Sequence, residues 1–156
     1  MKYGMIKVAA AIPGVRVADV DYNVQQMESL IAQAEGKGVE VIVFPELSLT
    51  GYSCQDLFRQ QLLLDKAEAG LLVLLDFTRK LDVIAVIGLP VRIGSLIYNC
   101  AAVVQRGCLL GRVAKTYLPN YAEFYEKRWF ASAVDLQPQE IYLAGSPVRV
   151  SNEPLV

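Results

Sequence analysis

Apolar and polar positions change period repeatedly along the chain, and each change marks an element. "IKVAAAIP" (residues 6–13) is a short apolar run stopped by Pro13-Gly14, which predicts a strand. In "DYNVQQMESLIAQAEGKG", Val24, Met27, Leu30, Ile31 and Ala34 share one helical face, with Asp21 placed to cap the start and Gly36 and Gly38 to end it. "VEVIVFPE" is then a second strand, so apolar over Val41 to Phe44 that it reads as buried on both faces. A strand, helix and strand in this order place the two strands side by side and parallel.

The stretch Leu62 to Leu81 predicts a second helix, with leucines on nearly every side and charges at Asp65, Lys66, Glu68 and Asp76. Such a helix should be packed in over much of its surface. Three strands follow at Val83 to Pro90, Leu96 to Gln105 and Cys108 to Ala114, and the turn signals Gly94-Ser95 and Arg106-Gly107 make them antiparallel hairpins. Lys115 to Pro138 is polar and aromatic and reads as a long loop with a short helical turn, a length usually kept for function. "EIYLAGSPVRV" closes the pattern as an isolated strand pair. The fold class is α/β: a mixed β-sheet with helices on one face, without repeats or an interdomain linker.

Composition narrows the setting. The 156 residues suffice for one domain with a real core, and 54% of them are hydrophobic against 20% charged. No apolar run reaches the roughly 18 residues that span a bilayer, and the start is too short and strand-like for a signal peptide, so no membrane and a cytoplasmic address are expected. Net charge is -1, and the one basic cluster, "EKRW" (126–129), pairs its cations with an acid; nucleic acid is an unlikely partner. Three cysteines without paired spacing suit reduced thiols. The absence of histidine removes Ser-His and Cys-His pairs and the usual zinc sites, so no metal is expected, and hydrolysis would fall to carboxylate, lysine and thiol.

Two residues have that chemistry at strand ends. Glu46 stands one proline past the second strand, and Lys115 follows "LLGRVA". At the ends of neighbouring strands they would converge on one site. If a thiol joined them, Glu46, desolvated, would take its proton, because a cysteine of pKa about 8.5 is mostly protonated at neutral pH. Lys115 would meet the oxyanion formed when the thiolate adds to an amide. The plainer readings are a solvated loop acid, an edge-guarding lysine, a packed aromatic lid and inert core thiols at Cys54, Cys100 and Cys108. Residue pattern leaves these alternatives open.

"FPELSLTGY" together with "GRVAKTYLPNYAEFYEKRWF" resembles the nitrilase, or carbon-nitrogen hydrolase, superfamily, and within it the N-terminal glutaminase domain of glutamine-dependent NAD synthetases. The resemblance implies an αββα sandwich of which this chain is the front half, with layers stacked between such domains and a homo-oligomer as the expected assembly. It implies Glu46 as general base, Lys115 as the catalytic lysine and Glu123 as a second active-site glutamate, with Tyr52, Tyr121 and Phe124 lining a glutamine pocket. It also implies glutamine as substrate, no cofactor for the amidase step, and ATP with magnesium in a C-terminal synthetase domain absent from these residues. The family's nucleophilic cysteine follows the lysine at the end of a later strand, and none of the three cysteines here occupies that place. Residues 1–156 are therefore expected to be the first part of one amidohydrolase domain and inactive alone. A hydrolase of another amide, or a non-catalytic domain of the same fold, are the alternatives.

Overall fold

Parallel pairing at one side and antiparallel pairing in the middle build one seven-stranded sheet. The computed structural model describes residues 4–134 and 136–151. Its strands are β1 (Val8–Ala10), β2 (Val41–Val43), β3 (Ile84–Ile93), β4 (Leu96–Gln105), β5 (Cys108–Ala114), β6 (Gln139–Leu143) and β7 (Ser146–Ser151), in the spatial order β1-β2-β3-β4-β5-β7-β6. β1, β2 and β3 are parallel, as a strand-helix-strand opening requires, and β3, β4 and β5 form an antiparallel meander. The closing strand pair is not isolated: β7 runs parallel beside β5 and carries β6 on its outer edge. That parallel step makes residues 115–138 part of a crossover, which is why so long a connection exists.

Helix α1 (Val20–Gly36) buries Val24, Met27, Ile31 and Ala34, the predicted face. Its cap is Asp19 rather than Asp21, since the Asp19 side chain accepts from the Tyr22 amide at 3.2 Å while Asp21 already lies in the first turn. Helix α2 (Gln61–Phe77) stops earlier than its leucines suggest. Thr78 turns its hydroxyl back to donate to the Leu75 carbonyl at 3.0 Å, and the chain tightens into a 3₁₀ turn over Thr78–Lys80. α2 also packs on one side only: Leu63, Ala67, Leu71 and Leu74 are buried, whereas Leu62 is 70% and Val73 48% exposed. Among the described residues no helix is long and apolar enough to cross a membrane.

The two sheet faces differ. Ile42, Ala85, Ile87, Leu89, Ala102 and Val104 are in register on the face that joins the buried core with α1 and α2. The opposite face carries Val8, Val41, Val43, Val86, Ala101 and Val113, and nothing among the described residues covers it fully. Val43 is 44% exposed, so β2 is buried on one face, not on both as its composition predicts. β1 is likewise shorter than its apolar run, because only three of its residues find partners on β2 and Ile6 and Ile12 lie in the open. Arg112 points the other way, wholly buried on the covered side without a hydrogen-bond partner for its guanidinium.

Gly88 of β3 places the functional turn. The Phe44 amide donates to Val86 O at 2.9 Å and the Leu49 amide to Gly88 O at 3.1 Å, which hangs the turn after β2 directly on β3. A Cβ at residue 88 would press on the Leu47 amide and stand 2.7 Å from the Pro45 carbonyl oxygen, both backbone atoms that cannot swing aside. Gly88→Ala is expected to destabilise the protein by about 1–3 kcal/mol through overpacking and to push Glu46 outward. A denaturation midpoint equal to wild type would show that the turn yields without cost.

Candidate active site

Glu46 stands in this turn, and Lys115 is the first residue past β5. Strand pairing brings them together. The Lys115 amide donates to Asn99 O at 2.8 Å, extending the β4–β5 ladder by one residue, and Lys115 O accepts from the Ala133 amide at 3.1 Å. So held at both backbone groups, Lys115 sends its Nζ to Glu46 Oε1 at 2.7 Å.

The same ammonium meets a second carboxylate. Lys115 Nζ lies 3.0 and 2.9 Å from the two oxygens of Glu126, whose side chain is only 1% exposed. Tyr52 completes this side by donating its hydroxyl to Glu126 Oε1 at 2.8 Å. Burial and the adjacent Glu126 carboxylate raise the Tyr52 pKa, so it remains a neutral donor. Burial pulls the Lys115 pKa down, but its hydrogen bonds to Glu46 and Glu126 outweigh that, and it stands above the ordinary lysine value. The ammonium is therefore fully charged at neutral pH. Asn99, 4% exposed on β4, donates through its amide nitrogen to Glu46 Oε1.

Glu46, Asn99 and Lys115 rim a cavity of about 330 Å³ whose walls include Val43, Val86, Ala101 and Val113 from the open sheet face. Glu46 is less enclosed than a desolvated base would be. Its side chain keeps 39% exposure, because the cavity opens on the uncovered side of the sheet.

The Glu126 turn is clamped from outside. Glu126–Arg128 forms a 3₁₀ turn, and Arg128 pairs with Asp56 through two bonds of 2.8 and 2.9 Å, while Trp129 Nε1 donates to Asp56 at 3.0 Å. Hydrogen bonds from Arg128 and Trp129 hold the Asp56 carboxyl well below the usual carboxylate range. Phe58 packs on Phe130 with ring centres 4.8 Å apart. The cations of "EKRW" thus do not neutralise Glu126: Arg128 goes to Asp56, and Glu126 is left for Lys115.

Of the six residues expected at the site, the structure brings Glu46, Lys115 and Tyr52 into one hydrogen-bonded cluster. Tyr121 and Phe124 lie in the crossover, in edge contact at 5.7 Å, with Tyr121 69% exposed. Glu123 is exposed, and no hydrogen bond or ion pair to Lys115 is present among the described residues; the second glutamate that touches the lysine is Glu126. The sequence reading missed Glu126 because its basic neighbours suggested a local ion pair. It missed Asn99 too, although a lone amide in the apolar run "LIYNCAAVV" is a signal of a buried polar contact.

None of the cysteines joins the cluster. Cys54 donates its thiol to Thr50 O at 3.1 Å, and burial pushes its pKa up. Cys100 is in register with Leu89 and Ala114 on the covered face, where burial pushes its thiol up to about 12. Cys108 is exposed at the far end of β5, six residues from Ala114. Among the described residues no group of three or more His, Cys, Asp or Glu is placed to hold a metal ion.

Comparison with known proteins identifies the family. Residues 7–150 match the family model of carbon-nitrogen hydrolases. A glutamine-dependent NAD(+) synthetase of Mycobacterium leprae is 40% identical over 132 residues, which are 85% of this chain and 19% of that protein. The Mycobacterium bovis counterpart is 36% identical over 152 residues, 97% of this chain and 22% of its own. The crystal structure of a glutamine-dependent NAD(+) synthetase from Cytophaga hutchinsonii superposes with a TM-score of 0.87 at 28% identity, covering 94% of this chain and 25% of that one. The chain thus spans about a fifth to a quarter of the length of these relatives. With a match over 144 of 156 residues and the Glu46–Lys115 pair seated at the strand ends, the chain belongs to the carbon-nitrogen hydrolase family.

Proposed function

We propose that this chain is the first part of the glutaminase of a glutamine-dependent NAD synthetase, and that the full-length protein releases ammonia from glutamine to amidate nicotinic acid adenine dinucleotide. The single observation that carries the reading is the 2.7 Å contact of Glu46 with Lys115 at the rim of a cavity lined by residues of β2, β3, β4 and β5. The similarity to several NAD synthetases over most of the chain supports the substrate.

In this reading Glu46 takes the proton of a cysteine thiol supplied by the remainder of the protein, and the thiolate adds to the side-chain amide carbon of glutamine. Lys115, held charged between two carboxylates, donates to the oxygen that becomes negative. Glu46 gives the thiol proton to the nitrogen as the C–N bond breaks, so ammonia leaves and the acyl group stays on sulfur. Glu46, a carboxylate again, then takes a proton from the water that adds to the thioester and returns it to the departing thiolate, giving glutamate and the free thiol. Tyr52 and Glu126 hold the ammonium in place, and Tyr121 and Phe124 supply aromatic walls for the substrate. Glu123 enters as a second active-site glutamate through the resemblance alone; among the described residues it makes no hydrogen bond or ion pair to Lys115.

The amidase step uses only carboxylate, ammonium and thiol. ATP and magnesium do not fit the residues here, since the site's carboxylates are already paired with Lys115; they belong with a C-terminal synthetase domain. Association with that domain and with further copies of the protein is part of the reading, supported by the apolar sheet face left open.

Glutamate release from glutamine by the full-length protein tests the reading. Release is expected from the full-length protein and not from residues 1–156 alone. A full-length protein that hydrolyses a different amide but not glutamine would replace the substrate while leaving the chemistry, and release by the short chain would make one of its own cysteines the nucleophile.

A further inference from the structure

Asn99 is a polar side chain that β4 directs into the apolar open face beside Ala101, and it is buried there at 4% exposure. It is tied to both reactive residues by separate routes, to one through its side chain and to the other through its backbone. Its amide nitrogen donates to Glu46 Oε1, and its backbone carbonyl accepts the Lys115 N–H at 2.8 Å. The orientation of the amide follows from chemistry, because a carboxylate with only acceptors requires the nitrogen and not the oxygen to face it.

Both donors that reach Glu46, Asn99 Nδ2 and Lys115 Nζ, land on the same oxygen, Oε1. Among the described residues nothing bonds to Oε2. The two oxygens of the carboxylate are thereby made unequal: one is tied down by an amide and an ammonium, and the other keeps its lone pairs.

Resting on the glutaminase reading above, we propose that Asn99 is a positioning residue that fixes Glu46 so that Oε2 is the oxygen that receives the proton in the reaction. In that transfer the S–H bond of the attacking cysteine breaks, its electron pair stays on sulfur, and an O–H bond forms at Oε2. Oε1 stays engaged throughout, so the carboxylate need not rotate between accepting the proton and returning it to the leaving amine. The one hydrogen bond of the Asn99 side chain goes to the base, and the backbone of the same residue continues the ladder to the strand that carries the lysine.

The charged groups that face Glu46 are few. Lys115 meets it from the end of β5, Glu126 lies behind that ammonium on the crossover, and the Tyr52 hydroxyl stands on Glu126. Asn99→Asp keeps the size of the side chain and places a second carboxylate against Oε1, which favours the protonated form of the base. Asn99→Ala removes the donor without adding charge.

The experiment measures kcat/KM against pH for glutamate release by the full-length protein and both variants. Alongside it, the rate at which iodoacetamide alkylates the reactive thiol is followed over the same pH range. In Asn99→Asp the acidic limb of both profiles is expected to move up by about one pH unit. In Asn99→Ala, kcat/KM is expected to fall about ten- to a hundredfold, the effect of losing a hydrogen bond to a charged group, with the loss mainly in kcat. Variants whose pH profiles superimpose on wild type, whatever their thermal stability, would overturn the proposal and make Asn99 a packing residue. If Asn99→Ala does not fold, the Asn99→Asp profiles decide alone. A wild-type protein that releases no glutamate but whose thiol alkylation still shifts in Asn99→Asp would overturn the substrate and uphold the positioning role.

Discussion

Glu46→Gln in the full-length protein is expected to lower glutamine hydrolysis by about 10²- to 10⁴-fold, the contribution of a positioned general base, while synthesis from free ammonia continues. The substitution preserves shape. A glutamine at this position still presents a carbonyl oxygen to Lys115 and Asn99, whose bonds hold the turn, but it has no basic oxygen for a thiol proton. Glutamate release and NAD formation, each measured with glutamine and with ammonium chloride, separate the outcomes. Loss of both activities would mean that the turn itself had moved and that Glu46 is structural.

Lys115→Ala is expected to remove activity and stability together, for two different reasons. Loss of a preorganised cation at the developing oxyanion costs about 10²- to 10³-fold in turnover. Loss of the same ammonium leaves Glu126, at 1% exposure, with only the Tyr52 hydroxyl to satisfy it. Removing one partner of a fully buried pair costs about 3–5 kcal/mol, and since the lysine side chain is 28% exposed the expected loss is about 2–3 kcal/mol. A cycle with Glu126→Gln divides the two effects. In the double variant the neutral amide no longer needs a counter-charge, so stability recovers most of the loss while glutamine turnover stays low. Recovery of turnover with stability would show that Lys115 serves only the fold.

The pH dependence of this pair follows from the direction of the Lys115 shift. Its pKa stands above that of a lysine in the unfolded chain, about 10.4, so its contribution is complete below that value. It is lost as pH rises through the higher pKa of the folded protein, because there the folded state alone still binds the proton.

What was legible in the sequence was whatever depends on local period and on strand ends. Strands β4 and β5 have their predicted bounds because Gly94 and Gly107, both at positive φ, punctuate a mostly apolar stretch. Glu46 and Lys115 could be chosen because each follows an apolar run, but the strands they follow are not neighbours as expected: β3 and β4 lie between β2 and β5, and the two side chains meet across them. Residues whose role depends on which strand lies next to which were not legible. Asn99 has no local feature that points at Glu46, and their contact requires β2, β3 and β4 to be adjacent in that order. Glu126 was misread for the same reason, since its sequence neighbours are cations and its true partner lies eleven residues back across the crossover. The open sheet face was hidden by composition: apolar side chains on both faces of β2 state that burial would be favourable, not that it is complete among the described residues.

The hydrogen bonds that assemble the reactive cluster join residues far apart in the chain. Asn99 and Glu46 are separated by 53 positions, Lys115 and Glu46 by 69, and Tyr52 and Glu126 by 74. The meander of β3, β4 and β5 closes through tight hairpins and can form early, whereas these three bonds must wait until long loops have been closed. A chain that has closed only this meander lacks the contacts of Glu46 with Asn99 and Lys115, so the site is expected to form with the long-range pairing of β2 on β3 and not with the hairpins.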